Sequence, residues 1–407
     1  MNTYDVPGFE AARQLGANYS AKKRVVFVVN NDISFLTHRA VWAGALQSAG
    51  ASVTVLAKET GYGDAIRKLG FQFEAVDLGR ESISGMQSVR AAIRIFFLLM
   101  RLRPELVFLI ATAAYSLGWP AAVFLRSSRF IRVAGGAGRV LAGQHSRSGA
   151  TFMVRGLLNV AARLHNVFTL FQIDSDRDLF IEGRLASAVR SMVIPGTGVD
   201  TQVWRPGNKS EASTMPVVTL FASRLYREKG IYEFLEIARR LKGPGRSFVV
   251  VGEPDTGVSS SVSQFELDEA VSEGIIELWG RRNDMISVFQ ASDIFVFPST
   301  HPEGTPKVVI EASSCGVPAV VSGQAGCRAV VDDQKTGFVV DEVSVGSFAL
   351  MVERLIDSPE LRVNMAREAR AKAQAEFSLE AVLGQVLQFA GVDTNATRKS
   401  SPKADAK

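Results

Sequence analysis

Cysteine and histidine are scarce in this sequence, which has two cysteines and four histidines in 407 residues. Cys315 and Cys327 are too few for a disulfide framework, which fits a reducing compartment. At roughly 100–200 residues per domain, a chain of this length is expected to form two domains, each with its own core.

The sequence also shows no secretory signal and no convincing membrane span. Residues 1–23 lack an apolar core, so we expect a loose, disordered tail. Leu106–Leu125 is an uncharged run of twenty residues, long enough to cross a bilayer. Because glycine and proline interrupt its middle, we favour a buried strand at Leu106–Ala111, a turn, and a helix that begins near Trp119.

Positive charge is concentrated in the first half of the chain. Residues 1–205 hold 24 Lys and Arg against 14 Asp and Glu, a balance of +10, and residues 206–407 hold 22 against 27, a balance of −5. Ser82–Ile173 contains eleven Arg and a single acid, Glu105. This basic excess indicates either a solvated face or, as we slightly favour, a surface for anionic lipid or a lipid diphosphate. We expect no nucleic-acid partner.

Short apolar runs alternate with amphipathic stretches along the chain. Such alternation is typical of parallel sheets covered by helices on both faces, so the predicted fold class is α/β with two doubly wound halves. Helices are predicted at Leu36–Ala49, Ser88–Arg103 and Thr151–Leu164, and two more within Pro359–Phe389. The predicted strands are Arg24–Val29, Ser52–Ala57, Phe71–Val76, Leu106–Ala111, Arg129–Val133, Val167–Phe171, Met192–Ile194, Val217–Ala222, Ser247–Val251, Ile275–Leu278, Asp293–Phe297, Ala319–Ser322 and Phe338–Val340.

A polar, proline-flanked stretch near residues 195–216 separates the two halves. We therefore predict an N-terminal domain at 24–203, a second domain at 204–375, a C-terminal helix at 376–392 and a disordered tail at 393–407. Ligands of doubly wound sheets bind at the carboxyl ends of the strands, so the expected site is a cleft between the halves.

The strongest motif is His301-Pro-Glu-Gly-Thr-Pro-Lys-Val-Val-Ile-Glu311, which follows a predicted strand. Pro306 suits the first turn of a helix, and Gly304 lets the backbone approach a ligand closely. The amino end of that helix would face a phosphate. Glu303 precedes the helix, and Glu311 lies one turn beyond Lys307, so the carboxylates are placed for a sugar hydroxyl and a ribose diol. The alternative, a surface helix with capping acids, explains the whole motif less well.

A second motif, Phe221-Ala-Ser-Arg-Leu-Tyr-Arg-Glu-Lys-Gly230, follows the first strand of the second half. Arg224 and Lys229 are two cations at the carboxyl end of that strand, where they would neutralise a diphosphate and stabilise it as a leaving group. Arg227 is as consistent with a solvated side chain as with a third ligand. Taken alone, the motif is equally well explained as a charged surface turn.

Together these segments resemble the family 4 retaining glycosyltransferases of GT-B fold, and in particular the bacterial branch that builds capsule, lipopolysaccharide and lipid-linked oligosaccharides. The resemblance covers about residues 24–375, and its specificity lies in the joint order and spacing of the motifs. It rests on Phe35-Leu-Thr-His-Arg-Ala, Phe171-Gln-Ile-Asp-Ser-Asp-Arg-Asp, Ile194-Pro-Gly-Thr-Gly-Val-Asp, Ala222-Ser-Arg-Leu-Tyr-Arg-Glu-Lys-Gly, Gly280-Arg-Arg-Asn-Asp, Glu303-Gly-Thr-Pro…Glu311-Ala and Gly326-Cys-Arg…Gly337-Phe.

The resemblance implies two Rossmann-like domains facing across a cleft, and it implies a role for each matching position. Arg224 and Lys229 would hold the donor diphosphate, Glu303 would bind donor-sugar hydroxyls, and Glu311 would bind the ribose. Arg281, after Gly280, would lie near the base.

Further roles follow from the same resemblance. The phosphate-facing helix start would comprise Thr305, Pro306 and Lys307, beside Gly304. His38 would line the acceptor side. No metal or other cofactor is expected, because cations and the helix terminus would neutralise the diphosphate.

The sequence departs from the family pattern at one loop. Relatives commonly carry a His-Gly pair after the fifth strand, whereas this chain has Val133-Ala-Gly-Gly-Ala-Gly138. His145 follows in the chain, but a lone histidine is usually structural. The departure places the rate and the choice of donor in question.

The expected function is transfer of a hexose or N-acetylhexosamine, with retention, from a nucleotide-diphosphate sugar to a polyprenyl-diphosphate-linked saccharide. UDP-sugars are the favoured donors, and the expected location is cytoplasmic, peripheral on the inner face of the membrane. Arg90, Arg94 and Arg101 lie on one side of a predicted helix that would contact anionic lipid; alternatively, Ile93–Met100 packs into the core. A nucleotide-sugar epimerase and a catalytically weak binding subunit remain as alternative functions.

Overall fold

The computed structural model describes residues 6–78, 86–110, 112–135, 149–208, 216–255 and 257–394. The chain forms two units: unit 1 comprises Met1–Gly198 and Leu379–Lys407, and unit 2 comprises Val199–Ser378. The chain thus enters unit 2 after Gly198 and leaves it after Ser378, where the sequence predicted 203 and 375.

Unit 1 is built on a parallel sheet. Its strands, after the short β1 (Tyr19–Ser20), are β2 (Arg24–Asn31), β3 (Ser52–Lys58), β4 (Gln72–Ala75), β5 (Leu106–Ile110), β6 (Arg129–Ala134), β7 (Val167–Phe171) and β8 (Ser191–Val193). Seven of them form one sheet in the order β4-β3-β2-β5-β6-β7-β8, with every neighbouring pair parallel. Apolar clusters cover both faces of the sheet, which is why its strands are nearly continuous apolar runs.

The helices of unit 1 connect these strands. They are Phe9–Gly16, Asp32–His38, Ala40–Ser48, Gly63–Lys68, Met86–Leu102, Thr112–Leu117, Ala121–Phe124, Gly149–Arg163, Asp174–Glu182 and Leu379–Phe389. The single helix predicted at Leu36–Ala49 is two helices, because Arg39 leaves the helical region at φ −128°, ψ −13°. The first of them starts early, since the Asn31 side chain accepts a hydrogen bond from the Ser34 N–H at 2.8 Å.

The expectation of a loose tail at 1–23 is wrong for residues 6–23. The helix Phe9–Gly16 packs on Ala40–Ser48 so closely that a Cβ at Gly16 would lie 2.1 Å from the Ala45 carbonyl oxygen. Phe9 is buried and makes an edge-to-face contact with Phe71, with ring centroids 5.9 Å apart. Gly16 therefore permits close contact between these two helices. The sequence did not predict the first helix, because residues 1–23 contain no long apolar run.

The uncharged run at residues 106–125 is divided among short elements. The predicted strand is confirmed as β5, but the helix expected to begin near Trp119 is preceded by Thr112–Leu117 and starts at Ala121. In the described parts of the chain, no helix has the length and apolarity needed to span a membrane.

Unit 2 repeats the architecture with a smaller sheet. Its strands are β9 (Val217–Ala222), β10 (Arg246–Val251), β11 (Glu277–Gly280), β12 (Ile294–Phe297), β13 (Ala319–Ser322) and β14 (Gly337–Val340), in the parallel order β11-β10-β9-β12-β13-β14. Its helices are Ile231–Leu241, Gln264–Ser272, Met285–Ala291, Lys307–Ser314, Ala325–Val330, Val345–Asp357 and Pro359–Glu376. The predicted α/β class with two doubly wound halves is confirmed, and all thirteen predicted strands are present.

The C-terminal segment returns to unit 1. The predicted helix at 376–392 is Leu379–Phe389, whose Leu383 and Leu387 are buried in the core of unit 1. Asp393–Thr394 then pairs antiparallel with β1, so the disordered tail predicted at 393–407 is wrong for these two residues. Residues 395–407 lie outside the described part of the chain.

Ala134, where the resemblance leads one to expect a histidine, is the last residue of β6 and is 2% exposed. The loop expected from Val133 therefore starts after it, and His145 lies outside the described residues. We expect Ala134→His to lower the free energy of unfolding by about 1–3 kcal/mol, because an imidazole overpacks this buried position, and not to raise turnover. Urea unfolding and a transfer assay measure the two effects, with Gly135→Ala at the exposed next residue as control. A stable variant with a large gain in turnover would contradict this account.

Candidate functional site

The two predicted motifs meet at one edge of the unit 2 sheet. β9 and β12 are parallel neighbours, with Ile294 paired to Thr219. The segments that follow these strands, 223–230 and 298–306, therefore leave the sheet side by side. The carboxyl edge of a parallel sheet is where doubly wound proteins bind their ligands.

Gly230 lets the first of these segments rest on the second. Its φ is +86°, and a Cβ there would lie 2.5 Å from Pro298 Cγ and 2.6 Å from the Pro298 carbonyl oxygen. Next to this contact, the Glu228 carbonyl accepts hydrogen bonds from the N–H groups of Thr300 at 3.0 Å and His301 at 3.2 Å. Only glycine combines this backbone conformation with so close an approach.

Lys229 and Glu303, one from each motif, form an ion pair. The Lys229 side chain is 11% exposed and that of Glu303 is 20% exposed, so the pair is largely withdrawn from water. Gly326 packs beneath this loop, where a Cβ would lie 1.6 Å from the Gly304 carbonyl oxygen. The residue predicted to bind the diphosphate and the residue predicted to bind the sugar are thus in direct contact.

The helix of the first motif begins at Lys307, and Pro306 is its N-cap in extended conformation, φ −70° and ψ 113°. The sequence predicted Pro306 within the first turn of the helix, and in the structure it lies one position before that turn. Its carbonyl accepts the N–H of Val309 at 3.1 Å, and Thr305 just before it is 7% exposed. The amino end of the helix carries the positive end of the helix dipole, and it comes shortly after Glu303 in the chain.

One helical turn separates Lys307 from Glu311, and their side chains form an ion pair at 3.1 Å. Glu311 is 9% exposed. Burial raises the pKa of its carboxyl, and the Lys307 ammonium opposes this shift. The sequence predicted this spacing, and a poorly hydrated carboxylate is a strong acceptor for hydroxyl donors.

The remaining predicted ligands of unit 2 are more exposed. Arg224 lies over the Tyr226 ring, with its guanidinium carbon 4.9 Å from the ring centroid. Arg281 follows β11, beside Gly280 at φ +64°, and pairs with Glu253 at 3.3 Å. Both arginines follow strands of the unit 2 sheet and lie at its carboxyl edge, where the two motifs meet.

The sequence did not identify Arg370, which holds the far end of the Lys307–Ser314 helix. Its guanidinium donates to the carbonyls of Ser314, Trp204 and Thr201, each at 2.6 Å. Since these acceptors are distant in sequence, no local pattern reports the contact. Arg370 fixes the axis of the helix whose amino end carries Lys307.

His38 belongs to unit 1, where it is the exposed last residue of Asp32–His38. At the start of that helix the buried Asp32 carboxylate accepts the N–H groups of Thr60 at 2.7 Å and Tyr62 at 2.8 Å. Burial alone would raise the pKa of Asp32, but its hydrogen bonds, that of the Thr60 hydroxyl above all, lower it. The acceptor-side role of His38 stays a prediction.

Within the described ranges, no group of three or more His, Cys, Asp or Glu side chains could hold a metal ion. Metal-independent transfer stays a prediction. What the geometry offers is a cluster of Arg and Lys cations, a helix amino end and two shielded carboxylates. Such a set suits an anionic phosphoryl group joined to hydroxyl-rich moieties.

Comparison with known families agrees with this chemistry. Residues 205–372 match the family described as glycosyl transferases group 1, which confirms the predicted resemblance for nearly all of unit 2. The chain is also similar to N,N'-diacetylbacillosaminyl-diphospho-undecaprenol alpha-1,3-N-acetylgalactosaminyltransferase of Campylobacter jejuni, 32% identical over 158 residues, 39% of this chain and 40% of that protein. UDP-Gal:alpha-D-GlcNAc-diphosphoundecaprenol alpha-1,3-galactosyltransferase of Escherichia coli is 27% identical over 218 residues, 51% of this chain and 55% of that protein. The chain thus spans about half the length of these relatives.

Solved structures support the fold over almost the whole chain. Anabaena Alr3699/HepE, in complex with UDP-glucose, aligns with a TM-score of 0.71 at 17% identity, over 91% of this chain and 99% of that chain. WaaG, a glycosyltransferase involved in lipopolysaccharide biosynthesis, aligns with a TM-score of 0.62 at 13% identity, over 90% of this chain and 99% of that chain. The two doubly wound units therefore have the fold of GT-B glycosyltransferases.

The buried carboxyl of Glu311 predicts a pH effect on stability. A carboxyl whose folded-state pKa is raised stabilises the fold fully below its unfolded-state pKa, and this contribution is lost as the pH rises through the folded-state pKa. Glu311→Gln cannot ionise, so we expect its free energy of unfolding to fall less than that of the wild type from about pH 4 to about pH 8. Urea unfolding at several pH values tests this, with the exposed Glu236→Gln as control. Equal pH dependence in Glu311→Gln and wild type would show that the carboxyl ionises without cost.

Proposed function

We propose that this chain, whose residues 205–372 match the group 1 glycosyl transferase family, is a retaining glycosyltransferase of cell-surface polysaccharide synthesis. It moves a hexose or N-acetylhexosamine from a nucleotide-diphosphate sugar, with UDP-sugars favoured, to a polyprenyl-diphosphate-linked saccharide. The observation that carries the proposal is the contact between Lys229 and Glu303 at the amino end of the Lys307–Ser314 helix.

In this proposal donor binding separates the ion pair of Lys229 and Glu303, and each of the two side chains then binds the donor. Lys229 leaves Glu303 for the donor diphosphate, joined by Arg224 and the helix amino end, and these positive groups stabilise the departing nucleoside diphosphate. Glu303, released from Lys229, accepts hydrogen bonds from donor-sugar hydroxyls. Glu311, further along the helix, accepts them from the ribose.

The proposed acceptor rests on the names of relatives. The Campylobacter jejuni and Escherichia coli proteins are named for undecaprenol-diphosphate-linked substrates. An acceptor with a polyprenyl tail remains in the bilayer, so an enzyme that uses it must work at a membrane surface. We therefore propose a cytoplasmic protein that is peripheral on the inner face of the membrane.

The helix Met86–Leu102 of unit 1 supports this location. Ile95 is buried on its core face, whereas Val89, Ile93 and Phe97 are 58%, 51% and 65% exposed. Successive helix residues are about 100° apart, so these three apolar side chains form one strip along the outside. One face of this helix therefore packs into the core, and another presents apolar side chains that could contact lipid.

Arginine borders the exposed apolar strip. Arg90, Arg94 and Arg101 are exposed on the adjacent side of the helix, and Arg101 pairs with Glu74 at 2.6 Å. Phe124, 65% exposed, extends the apolar surface through an edge-to-face contact with Phe96 at 5.4 Å. Apolar groups beside arginines suit the boundary between acyl chains and phosphates.

Transfer itself is tested with purified protein, UDP- and GDP-sugars and native lipid extract, followed by mass spectrometry. We expect Lys229→Ala and Glu303→Gln to lower turnover at least about 100-fold, because each removes an interaction with the reacting donor, while thermal unfolding shows both variants still folded at the assay temperature. Lys242→Ala and Glu273→Gln are matched controls, because both residues are exposed and lie in segments that lead into the amino ends of β10 and β11. Near wild-type turnover in either site variant would refute the assignment, and failure of the wild type with every donor would refute the function.

Chelation provides a separate test. Because Arg224, Lys229 and the helix amino end neutralise the diphosphate in this proposal, we expect turnover in EDTA to equal turnover in buffer. Loss of activity that Mn²⁺ or Mg²⁺ restores would contradict metal-independent transfer.

Membrane attachment is measured by co-sedimentation with liposomes. We expect binding to anionic vesicles that weakens with salt and decreases in Arg90/Arg94→Gln, because each basic residue near such a surface contributes about 1 kcal/mol. Phe97→Ser should weaken binding at every salt concentration. Arg239/Arg240→Gln in unit 2 makes the same change of charge and should bind like the wild type. Equal binding to neutral and anionic vesicles, or an unchanged salt response in Arg90/Arg94→Gln, would contradict the proposal.

A further inference from the structure

Tyr226 and Asp255 come from the segments that follow β9 and β10, and these two segments are tied together. The N–H of Arg227 donates to the Ser260 carbonyl at 2.8 Å, and Tyr226 and Ser261 form an antiparallel bridge. Gly252 allows this approach, since a Cβ there would lie 2.4 Å from the Ser223 carbonyl oxygen. Asp255 is thereby placed against the predicted diphosphate-binding segment.

The Tyr226 hydroxyl donates to Asp255 Oδ2 at 2.9 Å. The other oxygen, Oδ1, accepts the Gly257 N–H at 3.0 Å, and the Ser261 hydroxyl accepts the Asp255 N–H at 2.8 Å. Burial and the hydrogen bond to Asp255 raise the pKa of Tyr226 above its ordinary value, and the Arg224 charge opposes this increase. At neutral pH the phenol is protonated and acts as a donor. The ring is therefore fixed at its outer end as well as at its backbone.

Arg224 depends on this ring for its position. It is exposed, and its guanidinium lies over the face of Tyr226, 4.9 Å from the centroid. The Tyr226 N–H also donates to the Arg224 carbonyl at 2.8 Å. A long side chain in solvent loses conformational entropy when it binds a ligand. If the side chain already lies on a fixed aromatic face, part of that entropy is lost before binding, so binding costs less.

We infer that Tyr226 and Asp255 are positioning residues that hold Arg224 ready for the diphosphate of the donor and thereby set donor affinity. The inference rests on the proposed function, because it takes Arg224 as a diphosphate ligand. Asp255 acts through the Tyr226 hydroxyl, and Tyr226 acts through Arg224. The effect of both residues on nucleoside diphosphate binding must then disappear when Arg224 is absent.

Calorimetric titration of the full chain with UDP tests the inference through a double-mutant cycle. We expect Tyr226→Phe and Asp255→Asn each to raise the Kd for UDP by about 2- to 10-fold, with the free energy of one hydrogen bond as the upper limit, and Tyr226→Leu to raise it further. In the Arg224→Gln background, which is itself weaker, Tyr226→Phe should change the Kd less than about 1.5-fold. In transfer assays the donor KM should rise in Tyr226→Phe more than kcat falls.

The neighbouring Tyr232 is a matched control. Arg227 lies over its ring at 4.3 Å, and its hydroxyl contacts Glu266 at 3.4 Å, so an arginine, a tyrosine and a carboxylate are again arranged together. Because the proposed function assigns the diphosphate to Arg224 and Lys229 and not to Arg227, Tyr232→Phe should leave the Kd for UDP unchanged.

The remaining results would overturn either the inference or the proposed function. An undiminished effect of Tyr226→Phe in Arg224→Gln, no effect of Tyr226→Phe in the wild type, or an equal effect of Tyr232→Phe would overturn the inference. So would wild-type affinity in Arg224→Gln. Absence of UDP binding and of transfer in the wild type would instead overturn the proposed function.

Discussion

The approach of Gly230 to Pro298 is the contact on which the rest of the candidate site depends. It brings the segment after β9 onto the segment after β12, and the ion pair between Lys229 and Glu303 forms beside it. A side chain at residue 230 would separate the two segments, and with them the cation from the carboxylate. The parallel sheet places both segments at one edge, and glycine lets them touch.

Around this contact, the site is held from several directions. Gly326 packs under the Gly304 backbone, and Arg370 fixes the far end of the Lys307–Ser314 helix. These contacts fix the backbone around the charged groups, so only side chains have to move when a ligand binds, which favours strong electrostatic stabilisation. The exposed Arg224 is the exception, and its support is the ring of Tyr226.

The sequence predicted the sheets well and the contacts between distant residues poorly. The strands were visible because runs such as Val217–Ala222 are apolar on both faces and end at polar or glycine-rich segments. Pairings such as Lys307 with Glu311 were visible because helical spacing is local. The helix Phe9–Gly16 and the Tyr226–Asp255 hydrogen bond were missed because each depends on a partner far away in the sequence.

The central claim is that residues 223–230 and 303–311 bind one nucleoside diphosphate together. Hydrogen–deuterium exchange with and without UDP tests it most directly, because each segment supplies backbone N–H groups that ligand binding would shield. The account predicts slower exchange in both segments and no such change in Lys229→Ala at the same UDP concentration. Protection confined to one segment, or found only elsewhere in the chain, would contradict it.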